Sequence, residues 1–344
     1  MGSDARIPDF ARMRVAVAGD LIADHYLVTE PRGLSREAPV MVLRHVSEHL
    51  GAGGAANVAR NLRALGATTL CIGALRRDAR GRELFERLEG DGIDVSGVDT
   101  VPGWTTPTKT RVVAAEPRRN VQQVLRIDRE SAAPVDEKVR DALAARVRAL
   151  AGRVDALVVS DYDYGAVDGE LARAARELCA SGVVVVLDPR SQLEGFEGLT
   201  ALTPNVGELA RFTGHPPARL NGAAALARAA QELLARARPR WLLVTRGNLG
   251  MALYGEGCPE NGLTVEASGA GNVTDVTGAG DTAAAVFALA LAAGAEAPRA
   301  MHLANAASGV VVMASGTAVC TPAELRAAMG GSPPPVRAAG TAGR

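Results

Sequence analysis

Short runs of apolar, largely β-branched residues recur at positions 14–18, 69–73, 156–160, 183–187, 201–203 and 241–245. Longer segments of helical period lie between or beside them, at 55–65, 80–91, 136–151, 169–181 and 222–238. Strands joined through a helix run parallel, because the crossover carries the chain back to the end of the sheet where it began. Near-continuous apolar runs imply that both faces of that sheet are covered. The pattern predicts an α/β fold, a three-layer sandwich with a mostly parallel sheet at its centre. Two segments break the alternation. Residues 39–45 read as a strand, and 109–114 with 121–127 read as a hairpin around Glu116-Pro117-Arg118-Arg119-Asn120. Lacking helices between them, these strands are expected to form a small β-sheet lid (about 39–46 and 108–128), with extra edge strands on the main sheet as the alternative.

One domain over residues 13–328 accounts for the pattern, with 1–12 as a leader and the Pro- and Gly-rich 330–344 as a disordered tail. Aromatic residues are only 3% of the chain, so the core is built from Ala, Val and Leu. The formal net charge of zero argues against a nucleic-acid partner. Cys71, Cys179, Cys258 and Cys320 lack metal or redox spacing and read as reduced thiols. No stretch is long and apolar enough to span a bilayer, and the N-terminus lacks the apolar run of a signal peptide. The expected compartment is the cytoplasm, with no membrane partner.

The stretch from Asp275 to Thr282 (Asp-Val-Thr-Gly-Ala-Gly-Asp-Thr) places small residues and a carboxylate where a loop becomes a helix. The first N–H groups of a helix have no internal partner, and the aligned peptide dipoles make that end partly positive. Such an end binds an anion, and glycines let it come close. Asp281 would then stand beside the anion, an unfavourable place for a carboxylate unless it deprotonates a hydroxyl that attacks phosphorus. A plain helix start is the competing explanation. No Gly-Lys dipeptide precedes Ser or Thr, so a P-loop is excluded. Gly51 to Ala56 and Gly278 to Ala283 both satisfy Gly-x-Gly-x-x-Ala, the dinucleotide pattern of a dehydrogenase. The first strand nevertheless runs into Gly19-Asp20 without it, and Asp281 would repel a pyrophosphate.

Other residues gather at the C-terminal ends of the expected strands, where open α/β sheets bind ligands: Asp20, Asp161, Asp188, Asn205 and Thr245. Asp20 and Asp24 can accept hydrogen bonds from hydroxyls. Gly53 and Gly54 permit close approach of a polar ligand, and Asn57 offers a donor and an acceptor suited to a sugar diol. Asn205 and Glu208 fit either a capping box or the holding of a hydrated magnesium near phosphates. Arg190 is a candidate phosphate contact. Thr245-Arg246-Gly247 with Gly250 fits a loop around a nucleotide or a hairpin turn.

At these residues the chain resembles the ribokinase-like (PfkB) carbohydrate kinases over roughly residues 13–328. The resemblance rests on Gly53-Gly54 with Asn57 early, Asn205-x-x-Glu208 between, and Asp275-x-Thr277-Gly278-Ala279-Gly280-Asp281 late. Within the family it is most similar to the kinase half of the ADP-heptose pathway enzymes, on Ser35-Arg36-Glu37-Ala38-Pro39-Val40, Leu125-Arg126-Ile127-Asp128 and Ser160-Asp161-Tyr162. The resemblance implies a Rossmann-type sandwich with a β lid that often mediates homodimers, and ATP with Mg2+ as cofactors. It implies Asp281 as the base, with Gly278, Ala279 and Gly280 as an anion hole. Asp20, Asn57 and the 53–54 glycines would hold the sugar. Lys109, Arg111 or Arg126 would meet a 7-phosphate, and Asp275 with Thr277 would lie near a monovalent cation such as K+. The implied reaction is phosphorylation of the C1 hydroxyl of D-glycero-D-manno-heptose 7-phosphate to the 1,7-bisphosphate, for nucleotide-heptose synthesis. A His-x-Gly-His nucleotidyltransferase motif does not occur, so a stand-alone kinase is expected. Related kinases usually carry Asp-Tyr-x-Lys-Gly where this chain has Asp161-Tyr162-Asp163-Tyr164-Gly165; Arg190 replaces their Lys after Asp-Pro and keeps the charge. The lost lysine leaves room for another sugar or a nucleoside as acceptor. A non-catalytic sugar- or ATP-binding regulator is the alternative of another class.

Overall fold

The computed structural model describes residues 7–114, 122–269, 274–314, 316–330 and 337–338. The expected hairpin turn at 116–120 and most of the expected tail lie outside them. The chain begins with β1 (Arg14–Gly19), then β2 (Leu21–Leu34), β3 (Met41–Gly54), α1 (Ala55–Ala64) and β4 (Thr68–Leu75). It continues through α2 (Ala79–Gly90), β5 (Asp94–Thr100), β6 (Thr108–Ala114), β7 (Gln122–Arg129) and α3 (Glu137–Arg148). The second half runs β8 (Ala156–Ser160), α4 (Gly169–Ala180), β9 (Val184–Asp188), β10 (Ala201–Leu202), α5 (Val206–Thr213) and α6 (Ala223–Ala237). It closes with β11 (Trp241–Thr245), β12 (Met251–Gly255), β13 (Leu263–Val265), α7 (Ala279–Ala292), α8 (Ala297–Val311), α9 (Pro322–Gly330) and β14 (Arg337–Ala338).

The large sheet has the order β14-β13-β12-β11-β10-β9-β8-β1-β4-β5, parallel from β11 to β5 and antiparallel at the β12–β14 edge. Alternation along each strand divides the core in two. Val15, Val17, Ala156 and Val158 pack with buried residues of α1, α2, α7, α8 and α9. Ala16, Ala18, Leu157 and Val159 pack with α3, α4, α5 and α6 on the opposite face. Asp78, Asp136 and Asp168 cap α2, α3 and α4 by accepting backbone N–H bonds. Phe10 forms part of a short 3-10 turn and is buried, so packing begins inside the expected leader.

The lid is a separate four-stranded sheet of order β3-β2-β6-β7. It is larger than expected: β2 pairs antiparallel with β3 and parallel with β6. Sequence inspection misses β2 because it contains Asp24, His25, Glu30, Pro31, Arg32 and Gly33, and bulges interrupt its register at Val28/Thr29 and Pro31/Gly33. Its first half is buried against the body and its second half grows exposed, so no single alternation runs through it. The two sheets meet at Gly19-Asp20, where β1 ends and β2 begins, and at Gly54, where β3 becomes α1.

Gly19 has φ +149°, and a Cβ there would lie 2.0 Å from the Ser160 carbonyl oxygen. Gly19→Ala is expected to cost about 2–3 kcal/mol, from backbone strain and the clash. Gly169→Ala, at a helix start where nothing lies within 4 Å of the added Cβ, should be neutral or stabilising by up to about 1 kcal/mol. Urea unfolding of both variants checks the contrast, and equal losses would contradict it.

Candidate active site

α7 is apolar around its whole circumference, and nearly every residue from Asp281 to Leu291 is buried. A carboxylate in its first turn is therefore held out of water by construction. Asp281 is 3% exposed. The Asn57 side-chain amide donates to its Oδ2 at 2.8 Å and the Tyr162 hydroxyl donates to its Oδ1 at 2.7 Å. Asn57 stands one turn into α1, directly after the lid strand β3, and Tyr162 follows β8. Gly278 (φ +82°) begins the helix; a Cβ there would come 2.5 Å from the Asn57 amide nitrogen, so only glycine leaves room for the Asn57–Asp281 contact. Burial pushes the Asp281 pKa up to about 6, against the two hydrogen bonds and Lys109, which favour the anion.

Asp24 lies on the lid side of this centre. It accepts from Arg111 Nη1 at 2.5 Å, and a Cβ on Gly53 would press within 2.6 Å of its Oδ2. Lys109, half-buried, places its ammonium 4.9 Å from the Tyr162 ring centre and 5.7 Å from that of Tyr164. Burial pushes its pKa down, and Asp24 opposes that. Among the described residues Lys109 makes no ion pair, whereas Arg111 is spent on Asp24 and Arg126 on Asp128, its neighbour along β7. Of the three cations expected at a substrate phosphate, Lys109 is the one facing the centre without a carboxylate partner.

Two of the strand-end carboxylates are engaged with backbone. Asp20 accepts backbone N–H bonds from Tyr162, Tyr164 and Ala166 at 2.8, 3.2 and 3.0 Å. Asp161 accepts from the N–H groups of Asp163, Arg190, Ser191 and Gln192. Both carboxylates organise the loops after β8 and β9, and neither presents a free oxygen pair to a sugar. Asp275 likewise accepts from the N–H of Thr277 and of Gly316, which shapes the turn before α7. Asn205 and Glu208 form the reciprocal capping box of α5. Glu208 Oε1 also meets Arg190 Nη1 at 3.5 Å, and burial raises the pKa of Glu208. Asp188, partly buried and bonded to Thr203, is raised well above the ordinary carboxylate range by desolvation and by Glu208 and Asp281. No group of three acidic, His or Cys side chains among the described residues converges on a metal position. A divalent cation would meet these carboxylates through water or through a bound phosphate, and would relieve their mutual repulsion.

Two cavities flank the start of α7. One of about 530 Å3 is lined by Asn205, Thr245, Gly247, Gly250, Val276, Ala279, Gly280 and, from α8, Asn305, Ser308, Gly309 and Val312. A polar one of about 100 Å3 is lined by Tyr162, Asp188, Arg190, Asn205, Glu208, Thr245 and Gly280. Gly280 lines both, so the helix N-terminus stands between a large apolar hollow and a small polar one. The Ala279 N–H donates to the Val276 carbonyl at 3.3 Å, which turns it into the loop. Arg246 is outside both linings, its N–H bonded to Gly250 O. Sequence reading missed the α8 wall and Tyr162. The polar Asn305, buried among Leu303, Ala304 and Ala306, was the available signal for the first; an aromatic after Asp161 gave none for the second.

A profile of the pfkB family carbohydrate kinases matches residues 12–324. The chain belongs to that family. Curated relatives include the bifunctional protein HldE of Geobacter metallireducens, 38% identical over 91% of this chain and 62% of its own length. That of Alcanivorax borkumensis is 40% identical over 94% of this chain and 65% of the relative. The chain thus spans a little under two thirds of those proteins. Among solved structures, Arabidopsis thaliana ribokinase complexed with ribose and ATP superposes with a TM-score of 0.69 at 22% identity, over 92% of this chain and 98% of that one. Phosphofructokinase-2 from Escherichia coli, in complex with potassium, gives 0.74 at 19% identity over the same shares. The expected ribokinase-like α/β fold and the carbohydrate-kinase class both hold. No helix among the described residues is long and apolar enough to cross a membrane.

Because the Asp281 pKa is raised on folding, the folded protein binds the proton more tightly than the unfolded chain does. Stability from this group is therefore full below about pH 4 and is lost as pH rises through about 6. Asp281→Asn, whose Oδ1 can accept from Asn57 while its Nδ2 donates to the Tyr162 oxygen, should stabilise the fold by roughly 1–3 kcal/mol above pH 6, with the gain vanishing near pH 4. Denaturant unfolding across pH checks this, and a pH-independent difference would contradict it.

Proposed function

We propose that this kinase transfers the γ-phosphoryl group of ATP to the C1 hydroxyl of D-glycero-D-manno-heptose 7-phosphate, giving the 1,7-bisphosphate. The observation that carries this is the buried, raised-pKa Asp281, held by two donors at a helix N-terminus between the two cavities. The kinship with HldE proteins favours the heptose substrate and, by the same likeness, a role in nucleotide-heptose synthesis.

In this reading Asp281 accepts the proton of the C1 hydroxyl as its oxygen bonds to the γ-phosphorus. The bond from that phosphorus to the β–γ bridging oxygen breaks, and its electron pair leaves on ADP. The N-terminus of α7 at Gly278, Ala279 and Gly280 meets the charge on the transferring group. The nucleotide base and ribose occupy the 530 Å3 hollow against Gly247, Gly250, Asn305 and Gly309, while Arg190 and Thr245 lie towards the phosphates. Magnesium fits the electronegative corner of Asp188, Asn205 and Glu208 through water and phosphate oxygens, and when bound it supplies charge neutralisation. A potassium ion fits beside Asp275 and Thr277, whose turn shapes the start of α7. Asp24 and Asn57 present polar groups to the sugar across Gly53 and Gly54, and Lys109 meets the substrate phosphate. The lid exposes Met41, Val42, Val46, Leu125 and Ile127, an apolar set that a second copy would cover as a homodimer.

A second reading, a kinase for an unphosphorylated sugar or a nucleoside, is favoured by the Tyr164 ring where related enzymes carry a cation, and by the pairing of Arg111 with Asp24. An ADP-release screen with ATP across heptose 7-phosphate, hexoses, ribose and nucleosides separates the two. Turnover on heptose 7-phosphate well above the rest supports the first reading, and turnover confined to unphosphorylated acceptors overturns it. Absence of turnover on every acceptor would favour the non-catalytic regulator. Asp281→Asn should lower kcat by about 10²–10⁴-fold while leaving ADP affinity within a few-fold. Light scattering should return twice the chain mass; a monomer would overturn the lid dimer.

A further inference from the structure

We propose that Tyr162 is a positioning residue for Asp281: its hydroxyl locks one carboxylate oxygen so that the base meets the substrate hydroxyl in a single orientation. The inference rests on the reading of Asp281 as the base and adds a residue to it. Asp281 carries one donor on each oxygen, Asn57 on Oδ2 and Tyr162 on Oδ1, from different elements of the fold. Donors on opposite oxygens fix rotation of the carboxylate about its Cβ–Cγ bond, yet leave each oxygen a further lone pair.

Tyr162 is suited to this task because two further contacts hold it. Its backbone N–H donates to Asp20 Oδ2 at 2.8 Å, which ties it to the end of β1. Lys109 covers one part of its ring at 4.9 Å. Its burial beside Asp281, Asp188 and Asp24 pushes the phenol pKa well up, so the hydroxyl remains a donor across the working pH range. The chain Asp20–Tyr162–Asp281 thus carries the position of the β1 end to the start of α7. The charged groups facing Asp281 are Asp24 from β2, Lys109 from β6 and Asp188 from the end of β9. Asn57 completes the set from α1. None of them replaces the Oδ1 bond if the phenol oxygen is removed.

A hydrogen bond to the anion favours the anion, so losing it raises the carboxyl pKa. Tyr162→Phe should move the Asp281 titration up by about one pH unit, a tenfold change in proton affinity. Site-specific 3-fluorotyrosine at position 162 keeps the fold and the hydroxyl while making it a stronger donor, and should move the titration down. The carboxyl is followed by 13C NMR of Asp-labelled full-length protein, with Asp281 assigned by Asp281→Asn. The acid limb of kcat with ATP and heptose 7-phosphate should shift in the same order. Tyr162→Phe should then recover most of its lost kcat as pH is raised, with KM moving less than kcat. A carboxyl titration unchanged in both variants overturns the proposal, as does a kcat loss equal at every pH. A titration that moves while the kinetic limb stays fixed upholds the hold of Tyr162 and overturns Asp281 as base. Should Tyr162→Phe fail to fold, the fluorotyrosine protein alone decides the sign.

Discussion

The contact between the Asn57 amide and the Asp281 carboxylate fixes the start of α7 against the first turn of α1, within a core the two helices share. It spans 224 positions of sequence and joins the first helix to the seventh. One side of it continues directly into the lid through Gly54 and β3, and the other side is the helix terminus that faces both cavities. The contact exists only because Gly278 has no Cβ to fill the space. The position of the carboxylate at the start of α7 is therefore set in part by one small buried interaction. Its cost is a carboxylate confined away from water, and the raised pKa of Asp281 measures that cost.

The loops around this contact follow one design repeated at successive strand ends. An aspartate directly follows β1 and β8 and another ends β9, and two of the three point their oxygens at backbone N–H groups of the loop beside them in the sheet. A carboxylate that accepts three or four amides makes a rigid corner, and rigid corners hold Tyr162 and Arg190 in place. The third, Asp188, stays inside with Glu208 and Asp281. That uneven division of labour places the electronegative pocket under the start of α7 instead of spreading it along the sheet edge. It also explains why a cluster of aspartates at strand ends marks a cleft without each one being a ligand.

The sandwich was legible because alternating strand and helix periods leave few topologies, and the helix boundaries agree closely with their capping aspartates. The lid was only partly legible. Its second strand crosses from buried to exposed surroundings, so its side chains follow no single period. The meeting of Asp281 and Asn57 was legible as a grouping because both stand beside glycines at the start of a helix. The backbone bonds of Asp20 and Asp161 were not legible, because a strand-end carboxylate looks alike in sequence whether it faces a sugar or a loop. Tyr162 carried no signal at all, since its importance comes from a side-chain direction that only the folded loop sets. The α8 wall of the larger cavity was missed because small residues in a helix read as packing, and here Gly309 and Ser308 also line the hollow.

The account stands on the acceptor hydroxyl meeting Asp281 in front of the helix terminus. A crystal structure with a non-hydrolysable ATP analogue and heptose 7-phosphate measures that most directly. The predicted result is the C1 oxygen within roughly 2.6–3.2 Å of an Asp281 oxygen, with the γ-phosphate against the Gly278–Gly280 backbone and the Tyr162 bond retained. A sugar bound elsewhere, or with C1 turned away from Asp281, would contradict it.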